Sequence, residues 1–303
     1  MKTIEQYKQT FYDKGIIYLT KSVVRGVLHI VKWGNLKKNI QEYRLYLYLK
    51  RYYTKQQYNN KDVQTNQHKI IWICWFQGLE QAPEIVKESV ESVKTHCKEC
   101  EVIILTHENL HKYANIPDYI QEKYDNGIMP VAHYSDVLRL ILLTQHGGVW
   151  IDATVLLTEK IPTGILESEF FCYRATMTAL SKIKASSWFI VSKPNNLILC
   201  HVRDMLFAYW KKENSLVNYY VFHLCFAIVI NKNAECRKIW SKVPSYANYK
   251  NHLLQSELLK PFNREIFENI CKETTVHKLT YKLQFSENKE IEGSFYDFLI
   301  NKV

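Results

Sequence analysis

Residues 133–154 read HYSDVLRLILLTQHGGVWIDAT, and this stretch decides the fold. From 137 to 143 every residue except Arg139 is apolar. A helix so uniformly apolar is buried nearly all round. Asp136 and Arg139 interrupt it three residues apart, so they share one face. A buried charge without a partner costs several kcal/mol. The two must therefore bind each other, a ligand, or both. The helix should end at His146-Gly147-Gly148, where Gly147 suits a left-handed cap and Gly148 a sharp turn. Val149-Trp150-Ile151 then forms a short strand with Asp152 at its carboxyl end. In parallel α/β sheets ligands bind at that end. An Asp there can hold sugar hydroxyls or a divalent cation, which takes oxygen ligands.

Upstream, residues 70–76 form an unbroken apolar run of strand length, the mark of a strand covered on both faces. Pro83 sits where a first helical turn accepts it, and Val86, Val90 and Val93 keep one helical face. A second apolar strand follows at 102–105, completing a βαβ unit and predicting a parallel sheet. No GxGxxG follows the first strand and no GxxxxGK[ST] occurs anywhere, which disfavours nicotinamide dehydrogenases and P-loop ATPases. Trp72 is assigned to the core and Trp75, at the strand's end, to the core or a ligand platform. His223, inside the apolar run 221–230, reads as a core residue, and the Trp188-Phe189 pair as mostly core.

The net charge of +10 is unevenly placed. Residues 1–61 carry 13 Lys/Arg against 3 Asp/Glu, and the remaining 242 residues carry 27 of each sign. A basic appendage on a neutral body suggests an anionic surface met by one end. Residues 14–33 read as an amphipathic helix, and 36–58 as a basic helical stretch containing Tyr43, Tyr46, Tyr48, Tyr52 and Tyr53. That mixture suits an anionic membrane surface, and equally a helical hairpin packed on the body with a solvated face. Residues 59–68 are polar and read as a linker. The domains expected are thus a basic, Tyr-rich segment over 1–61 and a catalytic body over 69–303.

The neutral body argues against a nucleic-acid-binding protein, leaving only the basic segment as a rival site for one. Cys97 and Cys100 form a lone CxxC without the second pair a structural zinc site needs, so the eight cysteines read as reduced thiols. No apolar run reaches the roughly 20 residues of a membrane span, and no signal-peptide pattern opens the chain. A cytoplasmic protein, peripheral at the inner face of the membrane, is expected.

Ser135-Asp136-xx-Arg139 followed by Gly147-Gly148-Val149-Trp150-Ile151-Asp152 resembles the core signature of bacterial capsular polysaccharide synthesis proteins, which are related to glycosyltransferase family 32 and the glucosylating toxins. The stretches IIWICWFQG at 70–78, SWFIVSK at 187–193 and HKLTYK at 277–282 are similar to further blocks of that family, in the same order. The likeness covers roughly residues 69–283. It implies an α/β fold of the GT-A type with a mostly parallel central sheet, preceded here by an N-terminal helical segment. It implies a glycosyltransferase moving a hexosyl group from a nucleoside diphosphate sugar, a UDP-sugar, to a hydroxyl of a capsular or surface glycan or lipid-linked oligosaccharide, with retention of configuration.

Roles follow position by position. The resemblance implies that Trp75 stacks on the base, that Asp136 and Arg139 hold the donor sugar, and that Asp152 is the first acid of a DxD motif. It puts His277 and Lys278 near the diphosphate, His277 as a metal ligand beside Asp152, and Lys282 as a further cation for the leaving group. It implies a divalent cation, Mn²⁺. One departure bears on this. The chain writes Asp152-Ala153-Thr154, and a Thr hydroxyl is a weak ligand for a hard cation. Either Asp152, His277 and phosphate oxygens hold the metal, or it is dispensable. The same departure leaves open a sugar-nucleotide-binding pseudoenzyme.

Overall fold

The computed structural model describes residues 40–58, 69–176, 182–283 and 291–301. The amphipathic helix expected at 14–33 and the linker at 59–68 lie outside them. The chain divides into two compact units, Met1–Tyr48 and Leu49–Val303. Residues 40–50 are helical (α1).

The larger unit is built on five strands in the order β2 (Cys100–Leu105), β1 (Lys69–Cys74), β3 (Gly148–Ile151), β6 (Ala185–Ser192), β5 (Phe170–Arg174). β1 pairs in parallel with β2 and β3, while β6 is antiparallel to both β3 and β5. Four strands therefore point one way and β6 the other, the mostly parallel α/β sheet that the sequence led one to expect. A separate antiparallel ribbon joins β4 (Val155–Leu157) to β7 (Val276–Lys278).

β1 lies inside the sheet because its side chains leave no face for water. Ile71, Trp72 and Ile73 are buried together, so both faces of the strand are covered. The crossover from β1 to β2 is α2 (Glu84–His96), which turns Ile85, Val86, Val90 and Val93 inward. Helix α3 (Asp118–Asp125) leads into α4 (Val131–Gln145), whose residues from Asp136 to Thr144 are all buried. Each fully buried leucine there contributes about 1.5–3 kcal/mol of apolar burial.

The turn from α4 into β3 admits only glycine. Gly148 has φ +95°, and a Cβ there would stand 2.4 Å from the Ile70 carbonyl oxygen. Gly147 has φ +68°, with the Ser192 carbonyl 2.8 Å from where its Cβ would be. Trp72 Nε1 donates to the Gly147 carbonyl oxygen at 2.9 Å, so the core tryptophan of β1 also fixes the helix end. After the short α5 (Thr163–Leu166) and strands β5 and β6 comes α6 (Leu197–Lys212), N-capped by the Asn196 side chain. It packs against α4 and α7 (Val221–Lys232). Within the same unit Arg51 and Tyr52 reach Glu213, and Tyr58 donates to Asp204, both past or on α6. Helices α8 (Ala234–Lys242), α9 (Leu253–Glu257), α10 (Arg264–Glu273) and α11 (Phe295–Ile300) complete the unit. All eight cysteines are free thiols.

Candidate functional site

At the carboxyl ends of β1 and β3 the chain leaves a cavity of about 210 Å³. α4 brings Asp136 and Arg139 to it, one turn apart on a single face. Arg139 Nη1 donates to Asp136 Oδ1, and Nη2 donates to Asp152 Oδ1 at 3.2 Å. Trp150 and Asp152 lie two residues apart, hence on one side of the backbone, and Trp150 Nε1 donates to Asp152 Oδ1 at 2.9 Å. The Arg139 guanidinium also lies 4.8 Å from the Trp150 ring centre and 5.7 Å from that of Phe222. Lys278 arrives on β7, paired with Val155 of β4. Its Nζ donates to Asp152 Oδ2 at 3.0 Å and to Thr154 Oγ1 at 2.6 Å.

Two carboxylates and two cations are thus interlocked. The side chains of Arg139 and Asp136 are only 5% and 12% exposed, whereas those of Lys278 and Asp152 are 18% and 27% exposed. All four line the cavity, Arg139 and Asp136 as its buried floor and Lys278 and Asp152 as its more open wall. Burial alone would raise the Asp152 carboxyl. Lys278 and Arg139, helped by hydrogen bonds from Trp150 and Lys278, outweigh it and bring it down to about 2. It is a carboxylate at any physiological pH.

Trp75 lines the cavity and meets Tyr281 edge-on, ring centres 5.2 Å apart. A second hollow of about 350 Å³ adjoins the first, and both are lined by Cys74, Trp75, Ala132, Ser135 and Tyr281. A larger hollow of about 570 Å³ lies elsewhere, around Tyr173, Tyr246 and Tyr249. Its charged lining is Lys272 and the solvent-exposed Lys250–Glu273 pair, not a buried network like that at Asp152.

Five of the residues expected at the site therefore converge: Trp75, Asp136, Arg139, Asp152 and Lys278. Two do not. His277 is fully buried beside Leu156 of β4, with Nε2 3.1 Å from Thr158 Oγ1, and does not line the cavity. Alternation along β7 sends Lys278 one way and His277 the other. Lys282 is exposed beyond the lining, 5.8 Å from the Tyr281 ring.

Other lining residues are not singled out as site residues by the sequence, although Ser187 opens the SWFIVSK block. Ser187 comes from β6, and Tyr219 and His223 come from the approach to α7 and its first turn. His223, read as core, borders the cavity, and its Nδ1 has no hydrogen-bond partner among the described residues. Burial, then the Arg139 charge, holds both His223 and His133 down at about 3, so each is neutral at pH 7. His133 accepts from Trp210 Nε1 at 2.8 Å and is a core residue.

The divalent cation implied by the resemblance fits these residues poorly. Among the described residues no group of three His, Cys, Asp or Glu could hold a metal. Asp152 Oδ1 already accepts two donors and Oδ2 a third. A cation on Oδ2 would also face the Lys278 ammonium, at about 4 kcal/mol of repulsion per unit of its charge if the two stood about 4 Å apart in a surface-like dielectric.

A family of capsular polysaccharide synthesis proteins matches residues 26–299. Among curated proteins nothing matches. Solved structures similar to this chain include the PaToxG glycosyltransferase, at 17% identity and a TM-score of 0.36, covering 70% of this chain and 84% of that one. The glycosyltransferase GlyE of Streptococcus pneumoniae TIGR4 is similar at 9% identity and a TM-score of 0.42, covering 77% and 60%. The bifunctional glycosyltransferase WbbM is similar at 10% identity and a TM-score of 0.39, covering 82% and 52%. The chain spans about half to three fifths of the last two. Fold and site together define an α/β protein with a charged cavity at the carboxyl ends of its parallel strands. By its sequence the chain is a member of the capsular polysaccharide synthesis protein family.

Proposed function

We propose that the cavity holds a nucleoside diphosphate sugar, a UDP-sugar, and that the chain moves its hexosyl group to a hydroxyl of a capsular or lipid-linked glycan with retention of configuration. One observation carries the reading: Asp152, at the carboxyl end of β3, is held between Arg139 and Lys278 on the cavity wall. The polar hollow suits the sugar and diphosphate. The adjoining hollow, walled by Trp75 and Phe76, suits the nucleoside, whose base finds an aromatic face. Asp136 and Arg139 orient the sugar hydroxyls, and Asp152 accepts from hydroxyls of the sugar or ribose. In the transfer the bond from the anomeric carbon to the diphosphate oxygen breaks, and its electron pair stays on that oxygen. The acceptor oxygen bonds the same carbon from the same face, and its proton passes to the departing phosphate oxygen. Stabilising the negative charge of that leaving group is the main electrostatic task.

Radiolabelled UDP-sugars incubated with the chain and a membrane extract as acceptor test the reading. Wild-type chain should release UDP and label glycan, and Asp152→Asn should fold normally and do neither. Tight nucleotide-sugar binding without turnover would establish the binding-protein alternative instead. Near-normal turnover by Asp152→Asn would remove Asp152 from the site.

No helix among the described residues is long and apolar enough to cross a membrane. The basic excess of residues 1–61 supports a peripheral contact with anionic lipid at the cytoplasmic face. The full chain should sediment with phosphatidylserine vesicles and be released by salt. Equal sedimentation with neutral phosphatidylcholine vesicles argues against a charge-driven contact.

A further inference from the structure

We infer that this chain binds and activates its donor without a divalent cation, the Lys278 ammonium serving the diphosphate in the cation's place. The inference rests on the donor reading above and goes beyond it.

The argument begins at the site itself. A metal shared by the side chains at 152 and 154 would lie between them, and that place is filled. Lys278 Nζ sits 3.0 Å from Asp152 Oδ2 and 2.6 Å from Thr154 Oγ1. The residue at 154, where the resembling motif has a second acid, is a neutral threonine that accepts from the ammonium. A carboxylate at 154 would have offered a negative ligand, whereas a hydroxyl suits an ammonium already neutralised by one carboxylate. Both oxygens of Asp152 already accept donors: Arg139 and Trp150 fill Oδ1, and Lys278 lies against Oδ2, where a cation would meet the ammonium. Asp136, the other acid of the cavity, is bound to the same buried Arg139. His277, the further ligand expected, is turned into the core.

The ammonium is also equipped for the task. Of its three N–H donors two are used among the described residues, and Lys278 lines the cavity, so the third is left for a phosphate oxygen. Asp152 and Thr154 fix the ammonium before the ligand arrives, so little side-chain entropy remains to be lost on binding. When the bond to the anomeric carbon breaks, the charge that collects on the diphosphate meets a cation already in position, and no further co-reactant is required.

Isothermal titration of UDP, GDP and dTDP into the full-length chain, in EDTA and again with millimolar Mn²⁺, tests this. UDP should bind in EDTA with a Kd within twofold of that in Mn²⁺. Lys278→Met should weaken UDP binding at least tenfold in EDTA, and Lys278→Arg should restore most of it. The pair Thr154→Asp with Lys278→Ala, which sets a second acid beside Asp152 and removes the ammonium, should make binding depend on Mn²⁺. Wild-type binding at least tenfold tighter with Mn²⁺ than with EDTA overturns the inference while leaving the donor reading intact. Unaltered UDP binding by a folded Lys278→Met does the same. Failure of all three nucleotides under both conditions overturns the donor reading, and the inference with it.

Discussion

Replacing Arg139 with methionine isolates the ion pair on which the cavity is built. Methionine keeps an apolar stem against the Trp150 ring but deletes the guanidinium. The Asp136 carboxylate, 12% exposed, then loses its only partner among the described residues, while Asp152 keeps Lys278 and Trp150. Stranding one member of a buried pair costs about 3–5 kcal/mol. In a unit of this size each kcal/mol lowers Tm by about 2–4 °C, so the variant should melt about 6–20 °C below wild type. Asp136→Asn combined with Arg139→Met removes the stranded charge and should recover about half of that loss. Thermal and urea unfolding of the full-length chain, followed by circular dichroism, measures both. A single variant within about 1 kcal/mol of wild type, or a double variant no more stable than the single, would show that the pair is not a desolvated ion pair.

Acid should weaken the fold before Asp152 is protonated. His133 and His223 stay neutral in the folded chain down to about pH 3, whereas unfolded histidine takes its proton near 6.5. Their contribution is complete above pH 6.5 and falls with pH by about 1.4 kcal/mol per unit for each, roughly 4 kcal/mol for the pair between 6.5 and 5. Asp152, lowered to about 2, adds its own loss of about 2 kcal/mol only as pH drops through the range from about 4 to 2. Urea midpoints that do not move between pH 7 and 5 contradict the neutral buried histidines. Gly148→Ala should cost about 3 kcal/mol or more, from positive φ and the Ile70 carbonyl together. Gly127→Ala, at φ +70° but with nothing within 4 Å, should cost about 1 kcal/mol; equal losses in urea would discount the close approach. Trp75→Ala should weaken UDP binding by about 1–3 kcal/mol, roughly 5- to 150-fold in Kd, and an unchanged titration curve removes the stacking role.

The half of the site that depends on local pattern was legible. An apolar helix with two charges, a glycine pair, a short strand and an acid lie consecutively, so spacing alone puts Asp136, Arg139 and Asp152 together. The β1–α2–β2 crossover was equally plain, because Ile71 to Ile73 admit no solvent face. What failed was the part set by pairing between distant segments. Strand β7 is three residues long, and nothing in VHK says whether His277 or Lys278 faces the cavity. The register against β4 settles it, putting Leu156 opposite His277. His223 was disguised by its neighbours, since nine of the twelve residues in α7 are buried and an apolar run reads as core throughout. The reversed direction of β6 is likewise a matter of chain path, and its apolar pattern fits either direction.

The geometry has a consequence for the growing chain. Both carboxylates and the guanidinium come from a single stretch of 17 residues, joined through the two glycines, whereas the ammonium is delivered from 126 residues further on. A polypeptide released before β7 could fold its first half around a pocket lacking the Lys278 charge. Truncated products would then be inert toward scarce activated sugars, because the strand that arms the pocket is made 126 residues after the acid it partners.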